Sequence, residues 1–393
     1  MPDIAVIGGG ASGIMAAISA ARLGCSTVIY EKNDRIAKKL LATGNGRCNL
    51  TNKNITLDRY HGETPEFPKT VLEKFTKENT LELFREMGLL CREEEDKIFP
   101  YSLRASSVLD ILRLEMDRLG VEIECSFDVK EIIQRKSVYE IVSWDGRHEF
   151  ATEVIVACGG KAAPNLGGGS SGYEILKKLG ITVTPLKPAI VQIKTETDAI
   201  SGLKGVKSMA RVFHGGKTEY GELLFTEYGI SGPPAFSLSS YYDGGDVIID
   251  FFPEFSKEEL FVIIKEKADL GLTGQELFTG LAHKNIALSI IKKSGVDTKY
   301  PSASSIKAIC ETCKGFTLKT EGTMSWNNAQ VTHGGISTKE VKEDTLESKK
   351  HSGLYITGEV LDVDGDCGGF NLQWAWSSGF VAGQAAAIKM LKG

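Results

Sequence analysis

The chain has 393 residues, enough at about 100–200 residues per domain for two or three domains around a large core. Apolar residues make up 42% and charged residues 25%, which excludes a disordered chain, a coiled coil and a collagen-like repeat. A formal net charge of −5 argues against a dedicated nucleic-acid binder, and no apolar run reaches the roughly 18 residues of a membrane span.

Residues 3–7 (DIAVI) predict a short buried strand, 14–23 an Ala-rich helix closed by Gly24, and 26–31 a second strand ending in an acid. Together they make a βαβ unit of about 30 residues. A helical stretch at 35–41 is broken by the Gly/Asn-rich loop 43–52, whose composition suits a loop that approaches a ligand. Amphipathic helices are predicted at 69–88 and 102–119. The alternation at 121–127 and 137–143 predicts antiparallel strands. A buried strand at 153–158 runs into Gly159 and Gly160, and a Gly/Ser-rich loop at 167–172 opens a helix at 173–179.

Composition changes after Pro185 and Pro188. Residues 189–253 are strand-like, 256–313 helical, and 316–321 strand again. A buried strand at 353–359 then leads through DVDGDCGGFN into a long helix from 371 to 391. The expected architecture is α/β, with a β subdomain (189–255 and 314–325) and a helical subdomain (256–313) inserted between 1–188 and 326–393. The N-terminus has no basic n-region, so no signal peptide is expected. Eight scattered cysteines suit reduced thiols in a cytoplasmic protein.

Gly8, Gly9, Gly10, Ala11, Ser12 and Gly13 fit G-x-G-x-x-G, follow a strand, open a helix, and have Glu31 at the end of the next strand. In such a unit Gly8 permits the tight turn and Gly10 lets backbone approach a pyrophosphate. Gly13 lets helix and strand pack, and the helix N-terminus stabilises the negative charge. Glu31 is placed to accept hydrogen bonds from an adenosine ribose. Three features favour FAD over NAD. No second fingerprint follows a later strand. The turn at Gly159 and Gly160 offers another glycine edge. The helix after Gly368 and Gly369 would set its positive end against the N1–C2=O edge of a reduced flavin, with Glu359 placed for a ribityl hydroxyl.

The motifs GGGASG, ATGNGRCNLTN, FTEYGISGP, VTHGGI, TLESK and GLYITGEVLDVDGDCGGFNLQWAWSSGFVAG resemble a bacterial family of NAD(P)/FAD-dependent oxidoreductases, the aminoacetone-oxidase-like or 3-dehydro-bile-acid-reductase-like flavoproteins. The resemblance runs from residue 3 to about residue 390. It implies a glutathione-reductase-type FAD-binding Rossmann domain interrupted by a β-barrel-like and a helical insert. It also implies that Gly44, Asn45, Gly46, Arg47, Cys48 and Asn49 lie along the flavin and pyrophosphate, and Gly368, Gly369, Phe370, Asn371 and Leu372 along the pyrimidine edge. Lys32, Lys39, Val129, Ala157 and Gly358 complete the expected cofactor set. The chain departs from the family pattern at Glu227, where the family usually has His, at Cys158, where it has Thr, and in the loop GGGSSGY.

His333, in THGG, titrates near neutral pH and is a candidate acid or base. Tyr228 and Glu227, in a Gly-bounded loop of the insert, are further candidate proton donors. Arg47 is a candidate for pyrophosphate or a substrate carboxylate. Cys48 has no second cysteine nearby for a dithiol relay, since position 53 is Lys53. Cys310 and Cys313 form C-x-x-C without a second pair, so packing is expected there and no metal site. Trp374 and Trp376 are expected in the core.

The expected activity is FAD-dependent hydride transfer between a small organic substrate and flavin N5. The leading form is a reductase of an electron-poor C=C, a steroid or bile-acid-like enone, with NADH or NADPH as transient reductant. The alternatives are an amine oxidase acting on an aminoketone with O2, and a flavoprotein with a nucleic-acid or protein partner. FAD is expected to bind without a covalent link. No nucleic-acid or membrane partner is expected, and monomer and dimer are both open.

Overall fold

The computed structural model describes residues 1–392. It divides into two compact units, Met1–Lys187 together with residues 330–392, and Pro188–Ala329.

The first unit is built on a parallel sheet of five strands. These are β1 (Ile4–Ile7), β2 (Thr27–Glu31), β3 (Glu122–Cys125), β4 (Glu153–Val156) and β5 (Leu354–Ile356), in the order β5-β4-β1-β2-β3. Ile4 is in register with Thr27 on one side and Glu153 on the other. β1 is buried along its whole length, as a central parallel strand covered on both faces must be.

Helix α1 (Ala11–Ala21) follows β1 directly and is buried from Ser12 to Ala21. Its cover is the final helix, α2 (Phe370–Lys392). A Cβ on Gly379 would lie 2.3 Å from the Ser12 carbonyl oxygen, and one on Gly383 2.2 Å from that of Ala16. Two glycines one helical turn apart therefore bring the two backbones into contact, which no side chain would permit.

Two local expectations change. Residues 122–125 do not pair antiparallel with 137–143; they join β2 in parallel at the sheet edge. Alternation marks a half-exposed strand, and a parallel edge strand shows it as well as an antiparallel one. Residues 129–134, 139–143 and 148–151 make a separate antiparallel sheet. The helix expected over 69–88 is two helices, Pro68–Lys74 and Lys77–Glu86. Phe75 is extended between them, and Thr76 and Asn79 cap the second reciprocally.

The second unit carries an antiparallel sheet of seven strands. In order these are Phe316–Leu318, Val247–Asp250, Lys207–His214, Lys217–Phe225, Gly229–Ser231, Ile193–Thr195 and Thr320–Thr323. Only Lys319 separates the two edge strands in the chain, so the sheet curls until its edges meet, in the manner of a barrel. Helices Lys257–Asp269, Lys284–Ser294 and Ala303–Lys314 share one hydrophobic core with this sheet through Leu260, Ile264, Ile290 and Ile309. No helix among the described residues is long and apolar enough to cross a membrane.

Candidate cofactor site

The fingerprint glycines divide into two kinds. A Cβ on Gly8 (φ +109°) would lie 2.5 Å from the Ala157 carbonyl oxygen, and one on Gly13 1.9 Å from that of Gly8. These two positions are set by packing. A Cβ on Gly10 would meet nothing within 4 Å. Space therefore stays open at the N-terminus of α1, where no side chain caps the helix and no acid occupies the first turn. An anion is the natural occupant of such a position.

Glu31, at the end of β2, is buried and held by three donors. Its Oε2 accepts from Gly9 N at 2.8 Å; its Oε1 accepts from Asn33 N at 2.8 Å and Asn33 Nδ2 at 2.6 Å. A carboxylate so fixed keeps lone pairs for ribose hydroxyls. The glycine loop 167–169 closes on the same spot, with Gly169 packed against Lys32 Nζ and Gly167 against Asn33.

The second glycine turn gathers residues from four parts of the chain. A Cβ on Gly160 would lie 2.4 Å from Thr332 Oγ1 and 2.5 Å from Glu359 Oε1. Glu359 Oε1 accepts from Thr332 N at 3.0 Å, and its Oε2 pairs with Lys39 Nζ at 2.6 Å. Gly358, just before it, packs against Ser12 of the fingerprint. Tyr173 is buried against this group. Burial and the nearby Glu359 push its hydroxyl well above the ordinary phenol range. Tyr173 escaped the sequence reading; its one signal was its place on the first turn of the helix after the GGGSSG loop.

The two segments expected along the flavin meet. The helix Lys38–Gly46 is kinked at Thr43, Gly44 and Asn45. The chain then enters a buried stretch whose Asn49 Oδ1 is an orphaned acceptor. Asn52 Nδ2 donates to Gly368 O at 2.9 Å, Gly369 packs on the Thr51 backbone, and Thr51 Oγ1 bonds Gln373 Oε1 at 2.7 Å. Asn371 clamps the loop before it, accepting from Gly365 N at 2.8 Å and donating to Gly365 O at 2.6 Å. Phe370 is buried edge-on to Tyr60, and Leu372 is half-buried. The start of α2 has no acid in its first turn.

Other expected residues serve the frame. Arg47 pairs with Glu94 at 3.0 Å and lies over the Phe99 ring. Cys48 is buried, and burial pushes its thiol up to about 12; burial does the same at Cys158. Val129 and Ala157 are core residues. Trp374 and Trp376 are buried, donating to Gly358 O at 3.1 Å and Leu50 O at 3.0 Å. In the second unit Cys310 and Cys313 face the core, and burial raises both thiols. Among the described residues no cluster of three or more His, Cys, Asp or Glu could hold a metal.

The candidate acid–base groups belong to different units. Glu227 and Tyr228 belong to the second unit, in the turn from Lys217–Phe225 to Gly229–Ser231. Glu227 is exposed, and its hydrogen bond with Lys204 holds its carboxyl below the usual range. Tyr228 is half-buried. His333 belongs to the first unit, where its Nδ1 lies 2.8 Å from Asp364 Oδ1.

Asp364 is the middle one of three alternating acids, Asp362, Asp364 and Asp366, all buried. Asp366 is matched on both oxygens, by His61 Nε2 at 2.7 Å and Arg59 Nη1 at 3.1 Å. Asp362 accepts from Glu63 N at 3.2 Å, and burial pushes its carboxyl up. The hydrogen bond that His333 donates to Asp364 raises the imidazole above its ordinary value, against the opposing effect of burial. Sequence reasoning found His333 and missed Asp364; the repeat of acids at every second position in DVDGD was the available signal.

The residues present fit FAD. Open space lies over Gly10 at a helix N-terminus, Glu31 is fixed at the end of β2 where a ribose acceptor is expected, and Asn49 Oδ1 is a buried acceptor without a donor.

Comparison with known proteins agrees. The HI0933-like protein Rossmann domain family matches residues 2–385. A 3-dehydro-bile acid delta(4,6)-reductase of Clostridium scindens is 41% identical over 408 residues, covering 98% of this chain and 99% of its own. A ribosomal RNA dihydrouridine synthase of Haemophilus influenzae is 32% identical over 386 residues, covering 95% of this chain and 96% of its own. The crystal structure of a 3-ketosteroid delta1-dehydrogenase from Sterolibacterium denitrificans shares the fold, with a TM-score of 0.54 at 12% identity over 99% of each chain. The chain therefore belongs to the HI0933-like Rossmann family and is an FAD-binding oxidoreductase.

Proposed function

We propose that this protein reduces a carbon–carbon double bond conjugated to a carbonyl, in a steroid- or bile-acid-like enone, with electrons from NADH or NADPH. The observation that carries this reading is the 41% identity, over 98% of the chain, to a 3-dehydro-bile acid delta(4,6)-reductase.

Bound in the site described, FAD supplies hydride chemistry at N5. The chain's own residues do the rest. The N-terminus of α1 and Gly10 would hold the pyrophosphate, and Glu31 would receive the adenosine ribose. Lys39 and Glu359 hold the 358–360 turn against Gly160. The N-terminus of α2 would favour negative charge on the flavin. His333 is the proton donor to one carbon of the alkene, and solvent would then reprotonate the imidazole.

A second reading rests on the 32% identity to the ribosomal RNA dihydrouridine synthase. The uracil C5=C6 bond is also conjugated to a carbonyl, so the same machinery would serve a base in RNA. The acidic net charge weighs against it.

One anaerobic experiment separates the readings. The holoprotein is mixed with NADH or NADPH while the oxidised-flavin band is followed, and a 3-oxo-4-ene or 3-oxo-4,6-diene steroid is then added. Bleaching by one nicotinamide, followed by recovery with a product two mass units heavier, is expected. No bleaching, together with peroxide release from an aminoketone in air, would establish an amine oxidase instead. Dihydrouridine formed in ribosomal RNA with steroids untouched would favour the second reading.

A further inference from the structure

We propose that Asp364 is the positioning residue for His333. It fixes the imidazole with Nδ1–H toward the buried carboxylate and leaves Nε2 available to deliver a proton. This deepens the proposed reductase chemistry and rests on it.

The geometry is specific. Asp364 has no exposed surface, its Oδ1 lies 2.8 Å from His333 Nδ1, and its Oδ2 has no hydrogen-bond partner. A buried carboxylate is costly unless a donor meets it. His333 is the only side chain hydrogen-bonded to it among the described residues, so the Nδ1 proton is strongly favoured.

Asp366, two residues on, is the internal contrast. Both of its oxygens are matched, by His61 and Arg59. That is how this strand satisfies an acid whose role is structural. Asp364 is instead left with one partner, and that partner is a titratable ring that remains part-exposed.

The backbone that carries the carboxylate is held on both sides. Asp364 is in register with His61 on the neighbouring strand, and the next residue, Gly365, is held at both its N–H and its C=O by Asn371. The ring is carried by strand Val331–His333, whose Thr332 bonds Glu359 and packs on Gly160. The pair therefore stands one residue from the group that lines the second glycine turn. The charges facing His333 are Asp364 and Asp362, which favour the imidazolium, and Lys187, which opposes it. The acids prevail, and the ring holds its proton above the ordinary histidine value.

The test uses FAD-loaded protein labelled with 15N-histidine, with the His333 signal assigned from H333Q. In the wild type the ring is expected to carry its neutral-form proton on Nδ1 and to titrate above pH 6.5. In D364N the midpoint is expected to fall by about one pH unit or more. Enone reduction at pH 8 should drop about tenfold in kcat with KM nearly unchanged, and should recover as the pH is lowered. A wild-type His333 titrating at or below pH 6.5, or a D364N titration and pH profile matching the wild type, overturns the proposal. The wild-type titration decides the matter even if D364N fails to fold. Should the wild type reduce no enone, the functional reading falls, while the nitrogen shifts still decide whether Asp364 orients His333.

Discussion

Lys39 Nζ and Glu359 Oε2 stand 2.6 Å apart although 320 positions separate them in the chain. The pair joins the start of the kinked helix Lys38–Gly46 to the turn that follows β5. Both ends of this bridge border the proposed cofactor path. Each partner is part-exposed, so the pair contributes no more than about 1 kcal/mol to folding. Its value lies in placement. Lys39→Met is expected to lower the melting temperature by a few degrees at most, while weakening FAD retention about tenfold. Flavin fluorescence released on ultrafiltration, measured beside a thermal melt of the apoprotein, separates the two effects.

Gly10 and Gly383 should respond in opposite ways to the same added methyl. Nothing occupies the space above Gly10, and its φ of −86° suits any residue. Gly10→Ala should leave the apoprotein as stable as the wild type and reduce FAD affinity at least tenfold. Gly383→Ala forces a methyl against the Ala16 carbonyl and is expected to cost about 3 kcal/mol. Chemical denaturation of the two apoproteins, followed by flavin titration, gives both comparisons. Equal destabilisation would contradict the open cradle.

Glu347 accepts from Lys342 Nζ at 2.6 Å, Lys389 Nζ at 2.7 Å and Gly353 N at 2.9 Å. Burial pushes its carboxyl up, and these three donors outweigh it and hold it at about 2. A folded-state value below the ordinary 4.5 means that the group's stabilisation is full above that pH and fades as the pH falls toward 2. Screened by two part-exposed lysines, it amounts to about 2 kcal/mol. Glu347→Gln should melt lower than the wild type at pH 6, and most of the gap should have closed by pH 2.5.

Cys48 lies in the loop expected along the flavin, and Cys158 immediately precedes the second glycine turn. With both thiols pushed up to about 12 by burial, only about one in ten thousand is ionised at pH 8. Iodoacetamide at that pH should leave both unmodified in the native protein and label both after denaturation, read by peptide mass spectrometry. Cys48→Ser should keep the rate of flavin reduction within about twofold.

Signals that are local in the chain were the legible ones. A strand, three glycines, a helix and an acid one strand later are contiguous, and each residue type is required by its immediate neighbours. That is why Gly8, Gly13 and Glu31 could be assigned roles from order alone. What escaped depends on partners far away. Nothing near His333 in the chain names Asp364, nothing near Glu359 names Lys39, and Tyr173 gains its meaning only from the burial of its hydroxyl beside Glu359. The strand at 122–125 failed for another reason. Alternating burial reports which face is wet, and is silent on the direction of the neighbour.

The contact between the first and last helices sets a timetable for the protein's birth. Ser19 Oγ donates to Phe380 O across 361 positions, close to where Gly379 and Gly383 lay the two backbones together. At about 5–20 residues per second, a ribosome needs on the order of half a minute to bring those partners into being. Until then the face of α1 that carries Ser12, Ala16 and Ser19 lacks its partner helix. The unit Pro188–Ala329 is continuous in the chain, with its core complete within it, so it is ready first. A nascent chain stalled before residue 379 would present the glycine loop 8–13 without the helix that packs against it.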